Sequence, residues 1–194
     1  MQPSVWLAQV QEEIIEPDLP ICDPHHHLWD HPGSRYLLDE LLADTGSGHN
    51  VVSTVFVECA SMYRADGPAA EQPVGETEFV NGVAAMFASG QYGPIRACAG
   101  IVGFADLMLG ADVGAVLDAH QQVSSRFRGI RHAASWDADP RVRNAHTNPP
   151  RGILLDARFR TGFAELAPRR LSFDAWLYHP QIPELTALAQ DFPD

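Results

Sequence analysis

The chain is poor in positive charge. Lys and Arg together number 13 against 25 Asp and Glu, a formal net charge of −12 over 194 residues. A protein that grips nucleic acid or an anionic membrane needs a basic face, so neither partner is expected. Cysteine is also scarce. Cys22, Cys59 and Cys98 lie in apolar, strand-like runs without pair spacing. That excludes a disulfide framework and reads as buried, reduced thiols of a cytoplasmic protein. No apolar run reaches the roughly 18 residues that a membrane span requires, and Asp106 and Asp112 interrupt the longest candidate. The N-terminal stretch carries Glu12, Glu13 and Glu16 and no basic region, so no signal peptide is expected. Internal repeats and low-complexity tracts are missing. So is a glycine-rich phosphate loop after the first strand-like segment.

What is present is alternation. β-branched and apolar runs predict strands over 20–27, 51–59, 95–102, 127–132 and 171–178. Between them lie stripes at helical spacing. These are Tyr36, Leu37, Leu38, Leu41 and Leu42; then Phe79, Val80, Val83, Met86 and Phe87, closed by Gly90; then Val113, Val116, Leu117 and His120. Leu155, Phe159, Phe163 and Leu166 follow, and then Ile182, Leu185, Leu188 and Phe192. Five strand–helix units in strict order imply an α/β fold with a parallel sheet covered by helices. Right-handed crossovers leave two outcomes, an open doubly wound sheet or a (β/α)8 TIM barrel. The first strand leads into His25-His26-His27 rather than a phosphate loop, which favours the barrel. A complete barrel needs eight units and about 250 residues, so about the first five units of an incomplete barrel are expected here. Residues 1–18 then form an N-terminal extension, and 19–194 the N-terminal part of a single barrel domain. Phe192-Pro193-Asp194 reads like the entry to a further strand, and an open sheet edge calls for a partner to cover it.

The candidate site starts at Ile21-Cys-Asp-Pro-His-His-His-Leu-Trp-Asp30. Side chains alternate along a strand, so His25 and His27 share a face with Asp23 while His26 points away. Two imidazoles about 7 Å apart by backbone rise can hold one divalent ion or orient one substrate group; a polar surface strand fits Ile21, Leu28 and Trp29 poorly. Arg128 and Arg131 flank Gly129 and Ile130 in a buried strand, where an unpaired charge is costly. One should emerge at the strand end, to grip a carboxylate or polarise a carbonyl through two parallel hydrogen bonds, or else form a structural ion pair. His132 reads equally as a substrate contact or a packing residue. Glu58 ends the second strand and faces the pocket or a helix-side salt bridge. Trp29 stacks on a ring-shaped substrate or plugs the mouth. The stretch 133–152 is long for a loop and contains Trp136 and Asp137, candidates for a lid wall; 67–75 is a shorter loop of the same kind. His31, His49, His120 and His146 read as ordinary.

Three of these segments resemble the amidohydrolase superfamily, in its amidohydrolase 2 branch of (β/α)8 hydrolases. Asp23-Pro-His25-His-His27-Leu-Trp29-Asp is similar to the first-strand His-x-His motif of the lactonase-like subgroup. Phe127-Arg-Gly-Ile-Arg131-His132 is similar to its fourth-strand motif, and Trp176-Leu-Tyr-His179-Pro to a fifth strand ending in His. The resemblance runs from about Leu19 to the end. It implies a hydrolase that opens a lactone of a sugar acid or related carboxylate with an activated water. A metal-dependent decarboxylase of the same superfamily is the alternative, and a catalytically silent fragment needing a partner chain is another. It further implies His25, His27, His179 and Arg131 as catalytic residues, with Arg128, His132, Trp29 and Glu58 on the substrate. His25, His27 and His179 would ligate at most one divalent ion, zinc by default, and some members of the branch work without a metal. The family's sixth-strand His and eighth-strand Asp, the usual general base, are expected beyond residue 194. A small lactone or carboxylate is the expected partner, and a homo-oligomer is left open.

Overall fold

The computed structural model describes residues 9, 10 and 12–193. Residues 1–8 and 11 of the expected extension, and Asp194 of the expected strand entry, lie outside the described residues. Five strands form one parallel sheet: β1 (Ile21–His26), β4 (Val51–Val57), β5 (Arg96–Gly103), β6 (Phe127–Arg131) and β7 (Ser172–Asp174). Their order in the sheet is their order in the chain. A doubly wound sheet reverses its strand order at a switch point; this one never reverses, which is the winding of a barrel. The result is a curled half-barrel, as the strand–helix alternation predicts.

The antiparallel hairpin of β2 (Trp29–His31) and β3 (Ser34–Tyr36) interrupts the first unit. Gly33 turns it with a φ of 78°, a conformation glycine adopts without penalty. The crossovers carry α1 (Leu38–Thr45), α2 (Val74–Ala88), α3 (Val113–Val123), α4 (Ala157–Phe163) and α5 (Ile182–Asp191). The helix stripes join the sheet in one core, though Met86 and Ile182 stay exposed. Phe56, Phe87, Leu117, Ile101, Ile130 and Phe159 are fully enclosed between the layers. His120 sits there too. Its Nδ1 is 2.8 Å from Thr77 Oγ1, its Nε2 donates to the Phe104 carbonyl at 3.0 Å, and its ring stacks on Phe127. It is a core histidine, as expected.

Several boundaries differ from expectation. The last strand ends at Asp174 rather than 178, because the Trp176 carbonyl accepts from Ala134 N at 2.8 Å in the long loop and Pro180 then opens a 3-10 turn. Helix α2 begins at Val74 behind Pro73, so Gly75 is helical and not loop. Leu155 belongs to a separate 3-10 turn and is 53% exposed; Asp156 caps α4 after it, accepting from Arg158 N at 2.7 Å. The cysteines are all free, but only Cys98 is buried; Cys59 is half-buried and Cys22 exposed. Cys22 lies on β1, which among the described residues is an edge strand of the sheet. Among the described residues no helix is long and apolar enough to cross a membrane.

Candidate functional site

The parallel strands send their C-terminal ends to one side, and the polar residues of the notable motifs gather there. The β1–β4 register slips between Asp23 and His26. That irregularity accompanies a local turn in which Asp23 Oδ1 accepts from His25 N at 3.1 Å. It leaves His25 and His27 together, with their Nε2 atoms 3.2 Å apart and rings edge to face. His26 turns the other way, into the core, with Nε2 2.8 Å from Thr54 Oγ1.

His27 Nδ1 lies 2.7 Å from the Val57 carbonyl. A carbonyl only accepts, so Nδ1 carries the hydrogen and Nε2 of the neutral ring is left with a lone pair. Burial holds the His27 pKa below its usual value, with Arg131 and His25 adding to the effect against the Val57 bond and Glu58. The neutral form therefore dominates at neutral pH, with a basic nitrogen facing His25.

Arg131 reaches the same mouth from the end of β6. The β5–β6 register gains one residue between Phe127 and Gly129. This bulge resets the alternation, so Ile130 enters the helix-side core and Arg131 turns to the open side. Arg131 Nε donates to Glu58 Oε1 at 2.7 Å, and Nη2 donates to the Glu58 carbonyl. Its guanidinium lies 4.6 Å from the centre of the Trp176 ring. Glu58 is fully buried. Among the described residues its Oε2 has no hydrogen-bond partner, and His146 Nε2 stands 3.7 Å from it. Below, Glu76 accepts from Cys59 N at 3.0 Å and Ser61 N at 2.8 Å, fixing the segment that carries Glu58. Burial, with the Glu58 charge nearby, pushes the Glu76 carboxyl up to about 7.

An open pocket results, lined by His25, Arg131, Asp174, Ala175, Trp176 and Leu177. Asp174 ends β7 and pairs in register with Arg131. Burial raises its pKa while His25 and Arg131 pull it down. Asp174 and His146 are the two residues that sequence reading missed. Asp174 could have been found as the one charged residue of the strand predicted over 171–178; nothing in the sequence marks His146.

Other expected residues lie elsewhere. Arg128 is the extra residue of the bulge, near the start of β6, exposed, with Nη1 bonded to the carbonyls of Ser125 and Phe127. It points to the opposite end of the strand from the pocket. His132 is buried between Phe104 and Phe159, with Nδ1 accepting from Leu107 N at 3.2 Å; it does not line the pocket of His25 and Arg131. His179 is exposed at the start of the turn His179–Gln181, five residues past the strand end. Trp29 stacks on Tyr36 and stands beside His27 on the hairpin, its indole N–H donating to Ser34 at 3.1 Å. Trp136 and Asp137 lie in the long loop. Gln181 Nε2 donates to the Trp136 carbonyl at 2.9 Å and Asp137 takes Asp139 N at 2.8 Å. The Tyr178 hydroxyl donates to the Arg143 carbonyl. The loop is thereby tied to the segment after β7.

The histidine pair fits a metal in part. Two nitrogens bound tetrahedrally at zinc distances lie about 3.3 Å apart, close to the observed spacing, and the Nδ1 bond to a carbonyl is a usual support for a ligating imidazole. Yet among the described residues no three His, Cys, Asp or Glu side chains are arranged to hold an ion, so His179 does not complete the expected set.

The family model described as Amidohydrolase matches residues 22–194. The uncharacterized protein y4mH of Sinorhizobium fredii is 34% identical over 199 residues, covering 91% of this chain and 60% of that protein. A Burkholderia multivorans amidohydrolase crystallised with bound zinc superposes with a TM-score of 0.56 at 22% identity, over 88% of this chain and 53% of its own. A crystal form of a Burkholderia multivorans amidohydrolase with bound HEPES gives 0.55 at 21% identity, over the same shares. These two likenesses show the fold. The chain spans about half to three-fifths of the length of these relatives.

Proposed function

Because this chain belongs to the amidohydrolase family, we propose that it contributes the first-strand histidines and the arginine of a site that hydrolyses a lactone of a sugar acid or related carboxylate. The observation that carries the reading is the His25–His27 pair beside Arg131 at the mouth of a half-barrel. His27 Nε2 is a lone-pair nitrogen held in place by the Val57 bond, and His25 Nε2 stands 3.2 Å from it. Together they accept the proton of a water that attacks the ring carbonyl carbon. Arg131 has N–H groups left over after its two bonds to Glu58. These hydrogen-bond the carbonyl oxygen as it gains charge. The carbonyl then re-forms, the ring C–O bond breaks, and the departing oxygen takes the proton back from the histidine pair. The product is the open hydroxy acid.

A divalent ion would find two of its ligands in His25 and His27 and would acidify a bound water. The described residues do not supply the third ligand. The superfamily alternative, decarboxylation, is separated by its product. Proton release without CO2 on a panel of lactones and carboxylates supports lactone opening, and CO2 release overturns it. Absence of both would leave the silent fragment that needs a partner chain.

A further inference from the structure

One peptide unit links the arginine of the mouth to a carboxyl group in the core. The peptide between Glu58 and Cys59 is trans, so its C=O and N–H point to opposite sides. Its carbonyl accepts from Arg131 Nη2, and its N–H donates to Glu76 Oε1 at 3.0 Å. Ser61 N donates to the same Glu76 oxygen at 2.8 Å. Between these two donors Ala60 is left-handed at a φ of 60°, and Met62 follows at 55°. Residues with a Cβ rarely adopt that conformation, and it persists only where the surroundings hold it. Here two N–H groups converge on one carboxyl oxygen, a backbone concavity of the kind that binds anions.

Glu76 is seated firmly enough to act as an anchor. It is 1% exposed, in the first turn of α2. That helix packs on the loop at Gly75, where a Cβ would lie 2.7 Å from the Met62 carbonyl oxygen. Arg64 N also donates to the Gln72 carbonyl at 2.9 Å, just before the helix. Cys59 ties the same point to the histidine strand, its thiol donating to the Leu28 carbonyl at 3.4 Å, one residue past His27. We propose that Glu76 is a positioning residue: it holds the Glu58–Cys59 peptide in the orientation that fixes the Arg131 guanidinium over Trp176 and beside His25. The proposal rests on the hydrolase reading above for what Arg131 then does. What the peptide needs from residue 76 is an oxygen at that reach, and its charge is secondary.

The test is solvent exchange of the Arg131 Nε–H in the full chain, read by nitrogen-15 NMR and assigned by its loss in Arg131→Lys. Glu76→Gln keeps an oxygen at the same reach without the charge; Glu76→Asp keeps the charge one methylene short. Exchange is measured against the Ile101 and Leu117 amides, which lie deep in the core. Relative to them, the Arg131 Nε–H and the Cys59 and Ser61 amides should exchange at least about tenfold faster in Glu76→Asp, the size of one lost hydrogen bond. In Glu76→Gln the ratio should match the wild type. A ratio unmoved in Glu76→Asp, as a purely structural role would leave it, or moved as far in Glu76→Gln, overturns the inference. Should Glu76→Asp not fold, the wild type decides: the three N–H groups should open as one unit, equally protected at every urea concentration, and separate openings overturn it. Lactone turnover is measured separately. The expected exchange without wild-type turnover sinks the hydrolysis reading and leaves this one standing; turnover with an unmoved ratio does the reverse.

Discussion

Arg131 and Glu58 form a buried ion pair that bridges a strand. Arg131 ends β6, Glu58 follows β4, and β5 runs between them; Glu58 N donates to the Val102 carbonyl of β5 at 2.8 Å. The two side chains are 9% and 1% exposed. The arginine expected to grip a substrate carboxylate thus has two of its five N–H donors committed to the protein, and the pair welds three strand ends beside the histidines.

Removing one partner of a buried pair leaves an uncompensated charge, which typically costs about 3–5 kcal/mol. Glu58→Ala should therefore lower the unfolding free energy in urea by that order. The double variant Glu58→Gln with Arg131→Met should recover much of it. Losses that simply add would show that the two side chains are not coupled.

Glu76 makes stability depend on pH. Its carboxyl sits at about 7 in the fold against 4.5 for the free group. Between those values the unfolded chain has released a proton that the native protein keeps. Unfolding free energy therefore falls as pH rises from 4.5 to 7, by about 3 kcal/mol in all. Glu76→Gln keeps an oxygen for Cys59 N and Ser61 N and removes the titration. The stability difference between variant and wild type should shift in favour of the variant across that interval and be constant on either side. A difference that does not change with pH contradicts the assignment.

His120 and His132 act with the opposite sign. Burial lowers both to about 4 from 6.5. The stability of the neutral rings is complete above 6.5 and is lost as pH falls toward 4, because the unfolded chain takes up protons first. In the Glu76→Gln background the urea midpoint should drop steadily from pH 6.5 to 4.5. A flat midpoint would mean that the rings are not buried as neutral groups.

Gly129 faces Ser172 across the β6–β7 pair. A Cβ there would lie 2.2 Å from Ser172 Oγ and 2.4 Å from its carbonyl oxygen. The backbone must move to admit it, so Gly129→Ala should cost about 1–3 kcal/mol or more and loosen the short strand that presents Asp174. Amide exchange at Ser172–Asp174 should rise well above the global rate. Wild-type protection would contradict the packing.

Much of the fold was legible because its signals are local. The strand–helix alternation, the glycine stop at Gly90 (φ 79°) and the opposed faces of His25 and His26 follow from backbone periodicity. The site was legible in part. His25, His27, Arg131 and Glu58 meet because strand ends of a parallel sheet share one side. The register slips were not legible, since a bulge leaves no mark in composition. The slip at Arg128 decides that this arginine stays at the far end of its strand while Arg131 reaches the mouth. His179 was misplaced because the strand stops at Asp174, where the loop after β6 takes over the hydrogen bonding. His146 reaches Glu58 through that same loop, a long-range contact with no periodic trace.

The most direct test is the initial rate of proton release from neutral sugar lactones by the protein and by its His25→Ala and Arg131→Ala variants, each shown to be folded. Loss of about a hundredfold or more in both is predicted, the size expected for groups that act in the transition state. Lactone opening at the wild-type rate in both variants would contradict the account.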